Sequence, residues 1–262
     1  MVFEVQLYVI NRKSAKIRDS SAYAKECKIR KTANPIVRTL HKVLERSLML
    51  FESLAKREAT LQLLGAIGSN GNISVACLNK SRTTGAQAAQ VDERIVPITD
   101  AESNYGQYLN NLPPECHQYI VPVEIADSAS KTALQYETTL RATLCPEQIG
   151  RLPRFDILFL GMGTDGHTCS LFPGHRLLQK NDLLTWVVAV TDSPKPPSQR
   201  ISLTLPVLNA AKNVAFIVTG EEKAAIVKTV LDSDVQHVPA SFVRPFSKKL
   251  RYFLDKDAAS KL

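Results

Sequence analysis

Apolar residues along this chain follow two rhythms. "FDILFLGMG" (155–163) is a continuous apolar run stopped by glycines, the pattern of a strand buried on both faces. "TWVVAVTD", "RISLTLP" and "VAFIVTG" read as further strands downstream, and "CHQYIVPVE" (116–124) as a short one upstream. Elsewhere apolar positions recur at helical spacing. Helices are expected over about 102–109, over 128–144 with Ser or Asp near the start, over "PVLNAAKN", and over "EEKAAIVKTVLDS" with acidic residues at its positive end. "SFVRPFSKKLRYFLDKDAASKL" closes the chain with a strand and a final turn. Strands alternating with helices predict an α/β fold, a mostly parallel sheet with helices on both faces.

This texture begins at Val91. Upstream, residues 36–64 carry a helical pattern, residues 11–35 are basic and poorly patterned, and residues 68–90 are small and polar with one strand-like piece, "ISVACL". The chain therefore divides into a basic region, 1–90, of open fold and a well-patterned region, 91–262, the two forming one domain in part. Charge divides at the same place. Residues 1–90 hold 15 Lys and Arg against 6 Asp and Glu, and the remainder 18 against 19, so the net +8 lies wholly in the first third. That excess reads as a solvated basic surface or as a polyanion-binding arm, and the lack of interleaved aromatics counts against the arm.

With 44% hydrophobic and 22% charged residues, the 262-residue chain is ordinary globular material. Its longest apolar runs are strand-sized, well short of the roughly 20 residues of a membrane helix. The first residues place apolar side chains ahead of the charges, opposite to a secretory signal, so a cytoplasmic location is expected. Cysteines 27, 77, 116, 145 and 169 form no CxxC pair or metal-ligand spacing and are expected as reduced thiols.

Candidate chemistry clusters in three stretches. "GMGTDGHT" (161–168) follows the buried strand, on the carboxyl-end edge where α/β sheets bind ligands. Gly161, Gly163 and Gly166 let backbone approach a ligand, His167 is competent as a general base near neutrality, and Asp165 is placed to orient it. A capping Asp and a hydrogen-bonded structural His are the plain alternative. "DSPKPPSQR" (192–200) follows the strand "TWVVAVT" and is expected on the same edge. Its three prolines stiffen it and hold Lys195 and Arg200, two cations suited to a phosphate. "VDERIVP" (91–97) sets Asp92, Glu93 and Arg94 together, a salt-bridged turn if taken alone.

"VDERIVP…DAESNYGQY", "FDILFLGMGTDGHTCSLFPGH", "DSPKPPSQRISLTLPVLNAAKNVAFIVTGEEKAA" and "LRYFLDKDAA" together resemble the 6-phosphogluconolactonase family, in order and at sensible spacing, from about Val91 to Leu262. The resemblance implies a Rossmann-like fold of the sugar-phosphate isomerase and deaminase type. It implies hydrolysis of 6-phospho-D-glucono-1,5-lactone to 6-phosphogluconate, in the oxidative pentose phosphate pathway, without metal or cofactor. On this basis His167 and Asp165 are expected as catalytic residues. Asp92, Arg94, Gly163, Gly166, Lys195 and Arg200 are expected to bind substrate: Asp92 or Glu93 holding Arg94, the glycine-turn amides facing the oxyanion, Lys195 and Arg200 gripping the phosphate. The expected partner is a phosphorylated sugar lactone rather than a nucleic acid or a membrane, with the chain a monomer. His175 is expected at the surface, Cys169 as a small packed side chain, and His41, His117 and His237 outside the chemistry.

The family's N-terminal Ser-Gly-Gly-Ser phosphate loop has no counterpart; "AIGSNGNIS" (66–74) has the residues but not the order. Residues 1–90 thus stand as a divergent working half, a replaced segment, or an aberrant translation joined to the rest. Two other functions stay open: a deaminase of the glucosamine-6-phosphate type, and a non-catalytic sugar-phosphate or polyanion binder.

Overall fold

The computed structural model describes residues 6–10, 74–79, 86–111, 114–144, 152–179, 184–232 and 238–262. The helix expected over 36–64, the basic stretch 11–35, most of "AIGSNGNIS", His41 and His237 lie outside the described residues.

Among the described residues the molecule is a mixed α/β protein with two sheets. The main sheet has six strands: β1 (Gln6–Ile10), β2 (Ser74–Asn79), β3 (Ala86–Gln90), β5 (Ile157–Leu160), β8 (Val214–Val218) and β9 (Leu250–Asp255), in the order β1-β9-β8-β5-β2-β3. The run β1, β9, β8 and β5 is parallel throughout, whereas β2 and β3 join antiparallel. Three strands from the basic N-terminal third, β1, β2 and β3, are therefore paired into this sheet. Every residue of β5 and β8 is buried, as the unbroken apolar runs require for strands flanked on both sides. Phe216 and Tyr252, register partners on β8 and β9, stack with centroids 5.0 Å apart.

The second sheet holds β4 (Asp92–Arg94), β7 (Arg200–Leu203) and β6 (Val187–Val190), all antiparallel. "TWVVAVTD" and "RISLTLP" are thus strands, but not members of the parallel sheet. Only residues 191–199 join them, enough for a hairpin and too few for a parallel crossover. The chain passes from β3 to β4 through Val91 alone, whose carbonyl accepts the Leu203 N–H at 2.7 Å.

Helix α1 (Asn104–Asn111) follows β4, and α2 (Ala129–Leu144) packs against β6 and β7. Short helices α3 (Leu205–Ala210), α4 (Ala224–Leu231) and α5 (Pro239–Phe242) follow β7 and flank the last strands. The strand expected over 116–124 does not form. Residues Pro114–Tyr119 make a 3₁₀ turn, and only Ile120 bridges to Ala88. Pro122 explains this: it has no N–H to continue a ladder.

No helix among the described residues is long and apolar enough to cross a membrane. One carboxylate fastens α2 to the small sheet. Glu137 accepts the N–H groups of Trp186 and Val187 at 2.8 and 3.0 Å and pairs with Arg141 at 2.7 Å, and the Arg141 guanidinium lies 4.1 Å above the Trp186 ring. Glu137→Ala would orphan two amides and a cation, and should cost about 2–3 kcal/mol in urea unfolding. A loss under 0.5 kcal/mol, roughly the size of an ordinary surface change, would show the staple to be incidental.

Candidate active site

The buried strand β5 ends at Leu160, and the chain then folds into a tight turn. Gly163 N–H donates to the His167 carbonyl at 2.9 Å, Gly166 N–H to the Gly163 carbonyl at 3.0 Å, and the Thr168 hydroxyl to the Gly161 carbonyl at 2.9 Å. Gly166 has φ +79°, and a Cβ there would come within 2.7 Å of Val238. Gly163 is needed for room: its Cβ would lie 2.1 Å from Cε1 and Nδ1 of His167. The imidazole is folded back onto its own turn.

That posture brings His167 Nδ1 to 2.5 Å from Asp165 Oδ1. With Nδ1–H donated to the carboxylate, Nε2 carries the free lone pair. Burial pushes His167 below the ordinary imidazole value; Asp165 pulls it up, the Lys195 ammonium lowers it further, and Asp92 pulls weakly upward. The ring is therefore neutral, and basic at Nε2, at physiological pH. Burial alone would raise the Asp165 carboxyl, but the His167 ring and amide and the Lys195 charge outweigh it and hold it below the ordinary carboxylate value.

Lys195 arrives from the other sheet, on the 191–199 hairpin between β6 and β7. Its Nζ lies 3.4 Å from both Asp165 Oδ1 and His167 Nδ1. The expectation that this loop opens beside the glycine turn is met, though by a hairpin of the small sheet rather than a strand end of the parallel one. His175, expected at the surface, is instead largely covered and links the two loops: its Nε2 lies 2.9 Å from Asp192 Oδ1, while Nδ1 accepts the Leu177 N–H.

The remaining expected residues are placed as follows. Asp92 is buried and does not hold Arg94. It accepts the Ser170 hydroxyl at 2.8 Å, and Asn104 Nδ2 donates to its carbonyl at 2.9 Å. Glu93 does not hold the Arg94 guanidinium either. Its carboxylate accepts the amides of Arg94, Asn104 and Tyr105 at 2.6–2.8 Å, capping α1. Burial pushes that carboxyl up to about 7 against the pull of the three amides, with the Asp92 charge adding to the rise. Arg94 turns to Glu102, donating to its carbonyl at 2.8 Å. The Gly163 and Gly166 amides, expected at an oxyanion, are spent inside the turn; these glycines supply space and backbone freedom. Arg200 is buried and donates to three carbonyls of the hairpin. Cys169 is buried beneath the turn, and burial pushes its thiol well up, so it is a packed side chain and no nucleophile.

One cation was missed in the sequence. Lys223 follows β8, the parallel neighbour of β5, so it emerges on the same sheet edge as the glycine turn. Burial lowers its ammonium, the Glu222 and Asp255 charges oppose this, and the Lys195 charge adds to the lowering. The signal was present in "VAFIVTGEEK", a strand exit followed by Gly and Lys, but the acidic pair drew the reading to a helix start.

Among the described residues no group of three or more His, Cys, Asp or Glu is arranged to hold a metal ion. The sequence model of the family described as glucosamine-6-phosphate isomerases/6-phosphogluconolactonase matches residues 31–252. The chain belongs to this family. The match begins sixty residues before Val91, so family likeness reaches into the basic third even though the recognisable motifs do not. A Caenorhabditis elegans relative is 52% identical over 170 residues, covering 65% of this chain and 63% of its own length. A human protein named 6-phosphogluconolactonase is 47% identical over 174 residues, covering 64% and 65%. The chain thus spans a little under two thirds of these curated relatives. The solved 6-phosphogluconolactonase of Trypanosoma brucei superposes with a TM-score of 0.56 at 27% identity, over 66% of this chain and 73% of that one.

The charges around His167 set the direction in which its titration moves. A nearby cation disfavours imidazolium and a nearby anion favours it. In an NMR titration, Lys195→Met should move His167 to a higher pKa than in the unaltered protein, and Asp165→Asn to a lower one. A downward move on removing Lys195 would contradict the contact.

Proposed function

We propose that the protein hydrolyses 6-phospho-D-glucono-1,5-lactone to 6-phospho-D-gluconate, the lactonase step of the oxidative pentose phosphate pathway, acting in the cytoplasm as a monomer. The observation that carries the reading is the neutral, Asp165-oriented His167 beside the Lys195 ammonium, in a family that includes named 6-phosphogluconolactonases. His167 Nε2 accepts a proton from a water as its oxygen bonds to lactone C1. The tetrahedral intermediate collapses by breaking the bond from C1 to the ring oxygen, which takes the proton back from His167 and becomes the sugar hydroxyl. Asp165 holds Nδ1–H and stabilises the imidazolium between the two transfers.

Lys195 and Lys223 bind the phosphate. Burial chiefly lowers Lys223 and the Lys195 charge adds a little to that, and a phosphate dianion between them would favour both ammonium charges. Asp92 acts at one remove, fixing Ser170 within the motif that carries His167.

Hydrolysis is to be measured on fresh lactone, corrected for spontaneous opening. His167→Ala should reduce kcat by about 10²–10⁴-fold with an unchanged melting curve. Near-normal turnover would remove His167 from the mechanism. Because the base must be neutral, kcat/KM should fall on the acid side through a pKa below the ordinary imidazole value, and be level through neutrality. Lys223→Met should raise KM roughly tenfold or more while kcat changes little; an unaltered KM would exclude it from the phosphate site.

A further inference from the structure

The "PKPP" hairpin has a physical problem that its sequence creates. Pro196 and Pro197 carry no N–H, so apart from the Ser193 N–H, which donates to the Ser198 carbonyl at 3.0 Å across the base of the loop, this stretch has few amides of its own to close it. Its carbonyls need donors from elsewhere. Two side chains supply them. The Ser193 hydroxyl donates to the Lys195 carbonyl at 2.7 Å and accepts the Lys195 N–H at 3.2 Å. Arg200 does the rest: Nε donates to the Pro197 carbonyl at 2.9 Å, and Nη2 to the carbonyls of Pro196 at 2.7 Å and Lys195 at 3.2 Å. Three consecutive carbonyls are held by one guanidinium.

Both ends of that guanidinium are fixed. Its backbone lies in β7, in register with Arg94 on one side and Val190 on the other. Its planar head lies 5.6 Å from the Phe172 ring centre, and His167 packs on the same ring, with centroids 4.8 Å apart. The residue is only 4% exposed, and among the described residues its charge meets carbonyl oxygens rather than a carboxylate at ion-pair distance. Nε–H and both hydrogens of Nη2 are committed to the hairpin.

We infer that Arg200 is a positioning residue for the proposed reaction rather than a phosphate ligand: it holds the Lys195–Pro197 backbone so that the Lys195 ammonium stands against Asp165 and His167. The inference rests on the functional reading of Lys195 given above. A flexible lysine placed on a stiffened backbone loses less freedom on binding an anion than one on a mobile loop.

The test is a double-mutant cycle on the full chain, using 6-phosphogluconolactone hydrolysis, with Lys195→Met, Arg200→Met, the pair together, and Arg200→Lys. Circular dichroism and a melting curve for each confirm folding. Lys195→Met should raise KM roughly tenfold, and Arg200→Met should raise it by a similar factor with a smaller change in kcat. In the Lys195→Met background, Arg200→Met should add less than about twofold, because it acts through a side chain no longer there. Arg200→Lys should resemble Arg200→Met, since an ammonium keeps the charge but not the planar fork.

The acid limb of kcat/KM gives an independent readout. The charged groups facing His167 are Asp165, Lys195 and Asp92. Displacing Lys195 through Arg200→Met should move that limb to higher pH, as Lys195→Met does, and not further in the double variant. Additive increases in KM, or a near-normal Arg200→Lys enzyme, would overturn the inference and leave the functional reading standing. An unchanged KM in Lys195→Met alone would overturn both. Should Arg200→Met fail to fold, Arg200→Lys and its double with Lys195→Met complete the same cycle.

Discussion

One oxygen atom, Oδ1 of Asp165, is met by side chains from two different sheets. His167 reaches it from the turn that ends β5 of the main sheet, and Lys195 from the hairpin of the small one. The Lys195 contact exists only if both sheets present their loops at the same point. A ring of contacts enforces this: His167 packs on Phe172, Phe172 faces Arg200, Arg200 bonds the Lys195 carbonyl, and Lys195 returns to Asp165. Contacts that close on themselves in this way couple strongly, so the strength of any one depends on the others being in place.

The two loops are joined a second time through Ser170 and His175. The Ser170 hydroxyl donates to Asp92 on β4, and its N–H donates to the Ser202 hydroxyl oxygen on β7; His175 pairs with Asp192 at the root of the hairpin. The residues of "TDGHTCSLFPGH" therefore divide into two tasks. Asp165 and His167 face the chemistry, while Thr168, Ser170, Phe172 and His175 tie the turn to its surroundings. A long, unbroken motif is what such a division looks like when written out in sequence.

Much of this was legible beforehand because it is local. The β5 run, the glycine stop, the Asp165–His167 pair and the stiff cationic loop all follow from side chains a few residues apart. What was not legible is where strands pair. Nothing in "TWVVAVTD" distinguishes a strand of a parallel sheet from a strand of a separate antiparallel one; the difference is the nine-residue link to β7. Arg200 and Lys195 likewise look equivalent in sequence, two cations in a proline-rich loop. Only burial separates them, since Arg200 opens a strand and points back under the loop while Lys195 sits at its tip. Arg94 failed for a similar reason: Glu93 was nearer in sequence, but its carboxylate faces the free amides of α1, and the side chain within reach of Arg94 was Glu102.

The passage from β3 to β4 takes one residue, Val91. A strand alternates its side chains with a period of two, so parity is carried across that corner without slack. One residue more or fewer between Gln90 and Asp92 would have to be taken up as a one-step slip. A slip in β4 would turn Asp92 from Ser170 to the opposite face and bring Glu93 off the helix it caps. This corner fixes the reading frame of everything the small sheet brings to His167.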